Sequence, residues 1–169
     1  MALSWGDLYN ATPLLASIYL PDGEESGCLF EPTVDRGCYS LRYRSLPGGN
    51  TEFIVQLSRY NSPLYAEGAA DGVHLLLHHQ YDVVPIPDSA DLPPHSWVFE
   101  YGEWLLMAYP QAEILVMVWH HPIDELSFDA NLGVLIAIAG AQSQVLHAYG
   151  YLLSTPIPTP TSTPRPPAV

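Results

Sequence analysis

Two histidine–aspartate pairs could carry chemistry in this chain. His78 and Asp82, like His120 and Asp124, stand four positions apart in segments of the form His-His-x-x-Asp, each at the end of an apolar run. Residues spaced by four share a face in a strand and in a helix alike. Two imidazoles and two carboxylates suit zinc, or iron if positions stay open. The pattern predicts a metal site, and with it a small metal-dependent hydrolase, if the two segments converge.

Neither pair can form such a site alone. Residues four apart on a strand are separated by about 13 Å, whereas each ligand must lie about 2 Å from the metal. The two segments must therefore be neighbours in a register that the sequence does not supply. The alternative interpretation is that the histidines end their strands and make ordinary polar contacts.

Alternating apolar and polar residues predict a sheet to position these segments. Cys38 to Leu46 and Thr51 to Tyr60 flank the turn Pro47-Gly48-Gly49-Asn50 and predict a hairpin with one buried and one wet side. A tighter hairpin is expected around Gly102. The pattern also predicts a strand over 73–84 after a surface loop at Gly68 to Gly72, and a central strand over 113–121, which is apolar on both faces.

The period then changes to that of a helix. Asp129 is a suitable N-cap, two apolar stripes follow, His147 falls in the last turn and Gly150 lies just beyond it. The expected architecture is α+β: an antiparallel sheet of about five to seven strands with a long C-terminal helix packed on one face.

The C-terminal sequence differs in composition from the rest. Residues 154–169 are rich in proline and threonine, which predicts a disordered, extended tail after a single globular domain over 1–153. Cys28 and Cys38 suit a disulfide across a short loop, or two free buried thiols. The chain as given shows no signal peptide, and the tail and paired cysteines favour an extracytoplasmic location.

Charge narrows the range of partners. The chain has eighteen acidic residues against five arginines and no lysine, for a formal net charge of -13. Such acidity argues against nucleic acid as a partner, and no apolar run is long enough for membrane insertion. With 48% hydrophobic residues the chain should fold. It contains no established catalytic motif. The sequence therefore favours a non-enzymatic acidic binding or assembly module without a cofactor, acting on a protein partner or by self-association. The alternatives are the zinc or iron hydrolase and a structural subunit of a larger assembly.

Overall fold

The computed structural model describes residues 19–25, 37–45, 51–88, 90 and 92–151, together with positions 7 and 10. Within these ranges lie six strands and two helices. In chain order they are β1 (Tyr19–Glu25), β2 (Cys38–Ser45), β3 (Glu52–Arg59), α1 (Pro63–Leu77), β4 (Trp97–Tyr101), β5 (Trp104–Gln111), β6 (Ile114–His120) and α2 (Phe128–Ala148).

The six strands form one sheet in the order β1-β2-β3-β6-β5-β4. Every neighbouring pair is antiparallel. Two three-stranded meanders, β1–β3 and β4–β6, therefore meet where β3 pairs with β6. Both predicted hairpins and the predicted central strand are confirmed. In the second hairpin, Gly102 has a φ of +65°, a left-handed conformation that glycine adopts at little cost.

One expectation about the first hairpin is wrong. Strand β3 was expected to have a wet face, yet its polar residues Gln56 and Ser58 are completely buried. The Nε2 atom of Gln56 donates to the Ser58 hydroxyl at 3.2 Å, so the two buried side chains contact each other. Alternation fixes which residues share a face, but it does not say whether another layer covers that face.

The long C-terminal helix is confirmed as α2, and it packs on one face of the sheet against the cluster that contains Val116 and Val118. Its start differs from the expected one. The N-cap is Ser127, whose hydroxyl accepts from the Ala130 amide at 3.3 Å, and Asp129 lies in the first turn. Gly150, just beyond the helix, has a φ of +89°.

The predicted strand over 73–84 is wrong. Residues 63–77 form helix α1, so Gly68 and Gly72 also lie in a helix and not in a surface loop. The Ser62 hydroxyl caps the helix and Pro63 occupies its first turn, a position that proline favours. The residues that α1 buries recur every three or four positions and include two alanines, which give little hydrophobic signal: Ala66, Ala70, Val73 and Leu77.

Helix α1 covers the face of the sheet opposite to α2, against Met117 and Trp119. The architecture is α+β as predicted, with a second helix that makes three layers. No described helix is long and apolar enough to cross a membrane. The predicted tail over 154–169 and the turn over 47–50 lie outside the described residues.

Candidate functional site

The first predicted pair lies at the end of α1. His78 is the C-cap of the helix, and both its backbone amide and its ring Nδ1 lie 2.9 Å from the His74 carbonyl oxygen. Asp82 is exposed, and its carbonyl oxygen accepts from the Glu100 amide at 3.0 Å, beside the outer edge of β4. This pair therefore ends a helix and not a strand.

The second pair lies at the end of β6. His120 is completely buried, and its Nε2 is 3.2 Å from the Asn131 Oδ1 atom of α2. The Ile123 amide donates to the same oxygen at 2.8 Å, which fixes the orientation of the Asn131 amide. His120 Nε2 must therefore be the protonated nitrogen. Asp124 is exposed in the loop between β6 and α2.

The fold separates the two pairs. Side chains alternate along β6, so His120 points to the same face as Val118, towards α2. His78 belongs to α1 on the other face. Across the described ranges of the chain, no group of three or more His, Cys, Asp or Glu side chains could hold a metal ion. The zinc or iron site of His78, Asp82, His120 and Asp124 stays a prediction that this arrangement does not favour.

Burial sets the protonation state of His120. Desolvation lowers the pKa of its imidazole to about 4, because a buried cation loses its hydration. The hydrogen bond to Asn131 opposes this shift, and the neighbouring His121 adds to it. Its second nitrogen, Nδ1, has no hydrogen-bond partner within the described residues. His120 is therefore a neutral structural group at physiological pH.

Other histidines gather around Trp97, where α1 passes the start of β4. The rings of His74 and Trp97 stack with centroids 3.8 Å apart, and His74 also stacks on His78 at 5.1 Å. His79 lies 3.6 Å from His78 by the same measure. The His74 ring is stacked on both of its neighbours, whereas the rings of His78 and His79 are tilted by 43°. Within the described ranges these histidines belong to no group that could hold a metal ion.

Asp71 fastens this cluster to the loop before β4. Its two carboxylate oxygens each lie 2.9 Å from His95 Nδ1, and Trp97 Nε1 donates to one of them at 3.2 Å. His95 adopts a φ of +62°, which is uncommon for a residue with a side chain. The adjacent hydroxyl, that of Ser96, donates to the Pro93 carbonyl at 2.6 Å. The His95–Asp71 pair thus holds the loop before β4, and the nearby Ser96 hydroxyl is engaged by the Pro93 carbonyl.

The solvent side of α1 is apolar, which is unusual for a surface helix. Four large side chains are 62 to 74% exposed there: Leu64, Tyr65, Leu75 and Leu76. Gly68 and Gly72 lie between them, and a Cβ atom placed on either glycine meets nothing within 4 Å. We call these six residues the α1 outer face.

The α1 outer face carries no charged side chain. At 3.6 residues per turn its six positions span an arc of about 120°. The two acidic residues of the helix, Glu67 and Asp71, fall outside that arc, and Asp71 is engaged by His95 and Trp97. Among the other exposed large apolar side chains, Leu126, Phe128 and Tyr149 are distant in the sequence, whereas Val83 lies shortly after α1. A contiguous apolar surface of this kind is typical of protein contact sites.

A second feature is an open cleft of about 240 Å³ between the β4–β5 turn and the start of α2. Its lining combines carboxylates with aromatic rings: Glu100, Glu103, Trp104 and Phe128. Such a lining can accept a small cation by charge and by cation–π contact.

The sequence contains a signal for helix α1, and so for its outer face, that the interpretation of residues 73–84 as a strand did not use. Ser62 followed by Pro63 marks a helix start. Once a helix is placed there, Leu64, Gly68, Gly72 and Leu75 fall on one side of it. Comparisons of this chain with protein-family models, with curated proteins and with solved structures found no match.

Proposed function

We propose that this protein is a non-enzymatic binding module that docks a protein partner on the α1 outer face. The observation that carries the proposal is the exposure of Leu64, Tyr65, Leu75 and Leu76 on one uncharged side of a helix. Leaving these side chains in water has a cost, since each large apolar side chain gains about 1.5–3 kcal/mol on full burial. A partner would recover that free energy.

The surroundings support docking and not catalysis. Asp71, His95 and Trp97 fasten α1 to the loop before β4, and Val73 and Leu77 anchor its inner side in the core. The outer face is thus presented on a fixed support, which limits the entropy lost on binding. The acidity of the chain keeps an exposed apolar face soluble in the free state.

Site-specific photo-cross-linking tests this proposal. A photoreactive phenylalanine analogue replaces Leu76 in the full-length protein, expressed in its native cells, and adducts are identified by mass spectrometry. The same analogue at Tyr149, which is also 64% exposed but lies beyond α2, is the matched control. We expect a discrete adduct from position 76 only, and its loss when Leu64 and Leu75 are both replaced by glutamine. Equal adducts from both positions, or none from position 76, would overturn the proposal.

A further inference from the structure

The cleft beside the β4–β5 turn is built on one row of the sheet. Glu100 of β4 pairs with Leu105 of β5, and Leu105 pairs with His120 of β6. Directly paired residues project from the same face of a sheet, and Leu105 belongs to the core on the α2 side. Glu100 therefore projects towards the α2 side as well. Phe128 and Asn131 of α2 complete the lining, so the cleft lies between one end of the sheet and the first turn of the helix.

Two carboxylates line this cleft, and neither has an ion-pair partner among the described residues. Glu100 and Glu103 are both exposed and belong to none of the ion pairs within those ranges. The sequence has no lysine or arginine between Arg59 and Arg165, and Arg59 contacts Glu113 at the β5–β6 turn, at the opposite end of the sheet. A cation that enters the cleft from outside would relieve the repulsion between the two carboxylates.

Aromatic and apolar side chains supply the rest of the surface. The Trp104 ring contacts the His121 ring edge to face, with centroids 5.3 Å apart and an angle of 83° between the planes, which restricts its orientation. Phe128 is 45% exposed, although it begins a helix that is anchored in the core. Aromatic faces attract cations, tryptophan most strongly, and Leu105 and Pro122 form an apolar surface for an alkyl chain. The lining therefore suits an organic cation.

The ligand should carry N–H donors. The Asn131 oxygen already accepts from His120 and from the Ile123 amide, and its Nδ2 donates to three carbonyl oxygens. The carboxylates of Glu100 and Glu103 are therefore the side-chain acceptors left in the lining. A quaternary ammonium ion has no donor for them, and within the described ranges they belong to no group of three or more ligands that could hold a metal. An organic cation with several N–H groups satisfies them best.

The start of α2 opposes a cation only weakly. The N-terminus of a helix is equivalent to about half a positive charge. The Ser127 hydroxyl accepts from the Ala130 amide, and Asp129 places a carboxylate in the first turn. The full charges of Glu100 and Glu103 outweigh what remains, so the cleft attracts cations.

We propose that this cleft binds a guanidinium group on a short alkyl chain. A guanidinium is planar, and it can donate two parallel N–H bonds to a carboxylate while its face stacks on the Trp104 ring. It is also more weakly hydrated than an ammonium ion, so it loses less on leaving water. The volume of the cleft, about 240 Å³, is below the roughly 300–1,000 Å³ typical of pockets for drug-sized ligands. It therefore accommodates one such group and not a large ligand.

Titration of the full-length protein with n-propylguanidinium chloride tests the proposal. Nuclear magnetic resonance follows the amide and indole N–H groups, and sodium chloride keeps the ionic strength constant. We expect saturable shifts at Gly102, Glu103 and the Trp104 indole, with a dissociation constant on the order of 1 mM. n-Propylurea has the same shape without the charge, and n-butylammonium has the charge without the planar group, so each should bind at least about fivefold more weakly. Equal binding of either probe, or no shift at these residues, overturns the proposal.

Substitutions separate the cleft from the general acidity of the chain. Glu100→Gln/Glu103→Gln should weaken the binding of n-propylguanidinium about tenfold, and Trp104→Leu, which keeps an apolar side chain, should weaken it about threefold. The matched control is Glu67→Gln/Glu113→Gln, which removes the same charge from α1 and from the far end of the sheet. Circular dichroism of each variant checks that it folds. A control that weakens binding as much as the double substitution in the cleft overturns the proposal.

Two sources can supply a guanidinium group, a free alkylguanidine or the arginine side chain of another protein. Nα-acetyl-arginine N-methylamide distinguishes them, because it presents the group on a peptide backbone. Binding as tight as that of n-propylguanidinium supports an arginine of a protein, and much weaker binding supports a free alkylguanidine. The cleft lies on the α2 side of the sheet and the α1 outer face on the other, so this proposal does not rest on the proposed function and either can fail alone.

Discussion

The Nε2 atom of His120 and the Oδ1 atom of Asn131 lie 3.2 Å apart, and this contact joins the last residue of β6 to the first turn of α2. Both residues are buried. The same Asn131 oxygen accepts from the Ile123 amide, and its Nδ2 donates to the carbonyl oxygens of Ile123, Leu126 and Ser127. One asparagine thus fixes the loop that leads into α2, and His120, which the sequence pattern predicts to be a metal ligand, supports it.

Buried His120 should make stability depend on pH. Its pKa in the folded protein, about 4, is below the value of about 6.5 for an unfolded chain. Between these values the unfolded state binds more protons, so stability should fall as pH drops from 6.5 towards 4. The contribution of this group is about 3 kcal/mol. Urea unfolding of the wild type and of His120→Gln measures it, since glutamine can still donate to Asn131.

We expect His120→Gln to show a smaller loss of stability than the wild type over that pH range, with the remaining loss caused by other groups. Equal losses in the two proteins would show that His120 is protonated at little cost and that its burial is not tight.

Removal of the Asn131 side chain should be strongly destabilising. Asn131→Ala leaves the Ile123 amide without its acceptor and the Nε2 atom of the buried His120 without its partner. Each unsatisfied buried group costs about 1–3 kcal/mol, so for these two groups we expect a loss of about 2–6 kcal/mol in the free energy of unfolding. The control is Gln144→Ala on the exposed side of α2, for which a change within about 0.5 kcal/mol is expected. Comparable effects of the two substitutions would contradict the role of Asn131.

The glycines of α1 give a prediction about the stability of the folded chain. Gly68→Ala and Gly72→Ala should each raise the free energy of unfolding by about 0.5–1 kcal/mol, because alanine is the better helix former and the added methyl group meets no atom. Thermal unfolding of each variant and of the double variant measures this change. A double variant that is no more stable than the wild type would contradict the open surroundings of the two glycines.

Reduction should destabilise the sheet at β2. Cys38 is disulfide-bonded, and its sulfur lies 3.3 Å from the Ser58 hydroxyl of β3. A disulfide sulfur carries no proton, so Ser58 must be the donor. Cys28 is the only other cysteine of the sequence and lies outside the described residues. A bond within one chain would close a loop of about ten residues and contribute about 2–3 kcal/mol.

Urea unfolding with and without a phosphine reductant measures that contribution, with Cys28→Ser/Cys38→Ser as the control that no longer responds. A wild type unaffected by the reductant would show that the cysteines do not form this bond. A covalent dimer on a non-reducing gel would show that the bond joins two chains.

Metal analysis of protein purified without a polyhistidine tag tests the metal hypothesis. Because His78 and His120 belong to opposite faces of the sheet, they should not bind the same metal ion. We therefore expect no near-stoichiometric zinc or iron whose content falls in both the His78→Ala and the His120→Ala variants. Stoichiometric metal lost in each of these variants would restore the hydrolase interpretation and count against the binding module.

The sequence by itself determined the elements whose periodicity is strong. Three patterns were sufficient to predict strands: the alternation in β2 and β3, the glycine turn between β4 and β5, and the apolar run of β6. They were sufficient because side chains alternate in any strand, whichever strand it pairs with. Helix α1 was missed for a local reason. Val73, Leu75 and Leu77 alternate as in a strand, while the small residues Ala66 and Ala70, which show the helical period, add little hydrophobicity.

Only the tertiary structure decided which faces are buried and which residues meet. The two similar His-His-x-x-Asp segments end different kinds of element, one at the C-cap of α1 and the other at the end of β6. Because the two helices cover opposite faces of the sheet, His78 and His120 are separated, and His120 contacts Asn131 instead. The α1 outer face arises in the same way. Local sequence sets the angle of each side chain around a helix, but long-range packing decides which side of that helix remains in water.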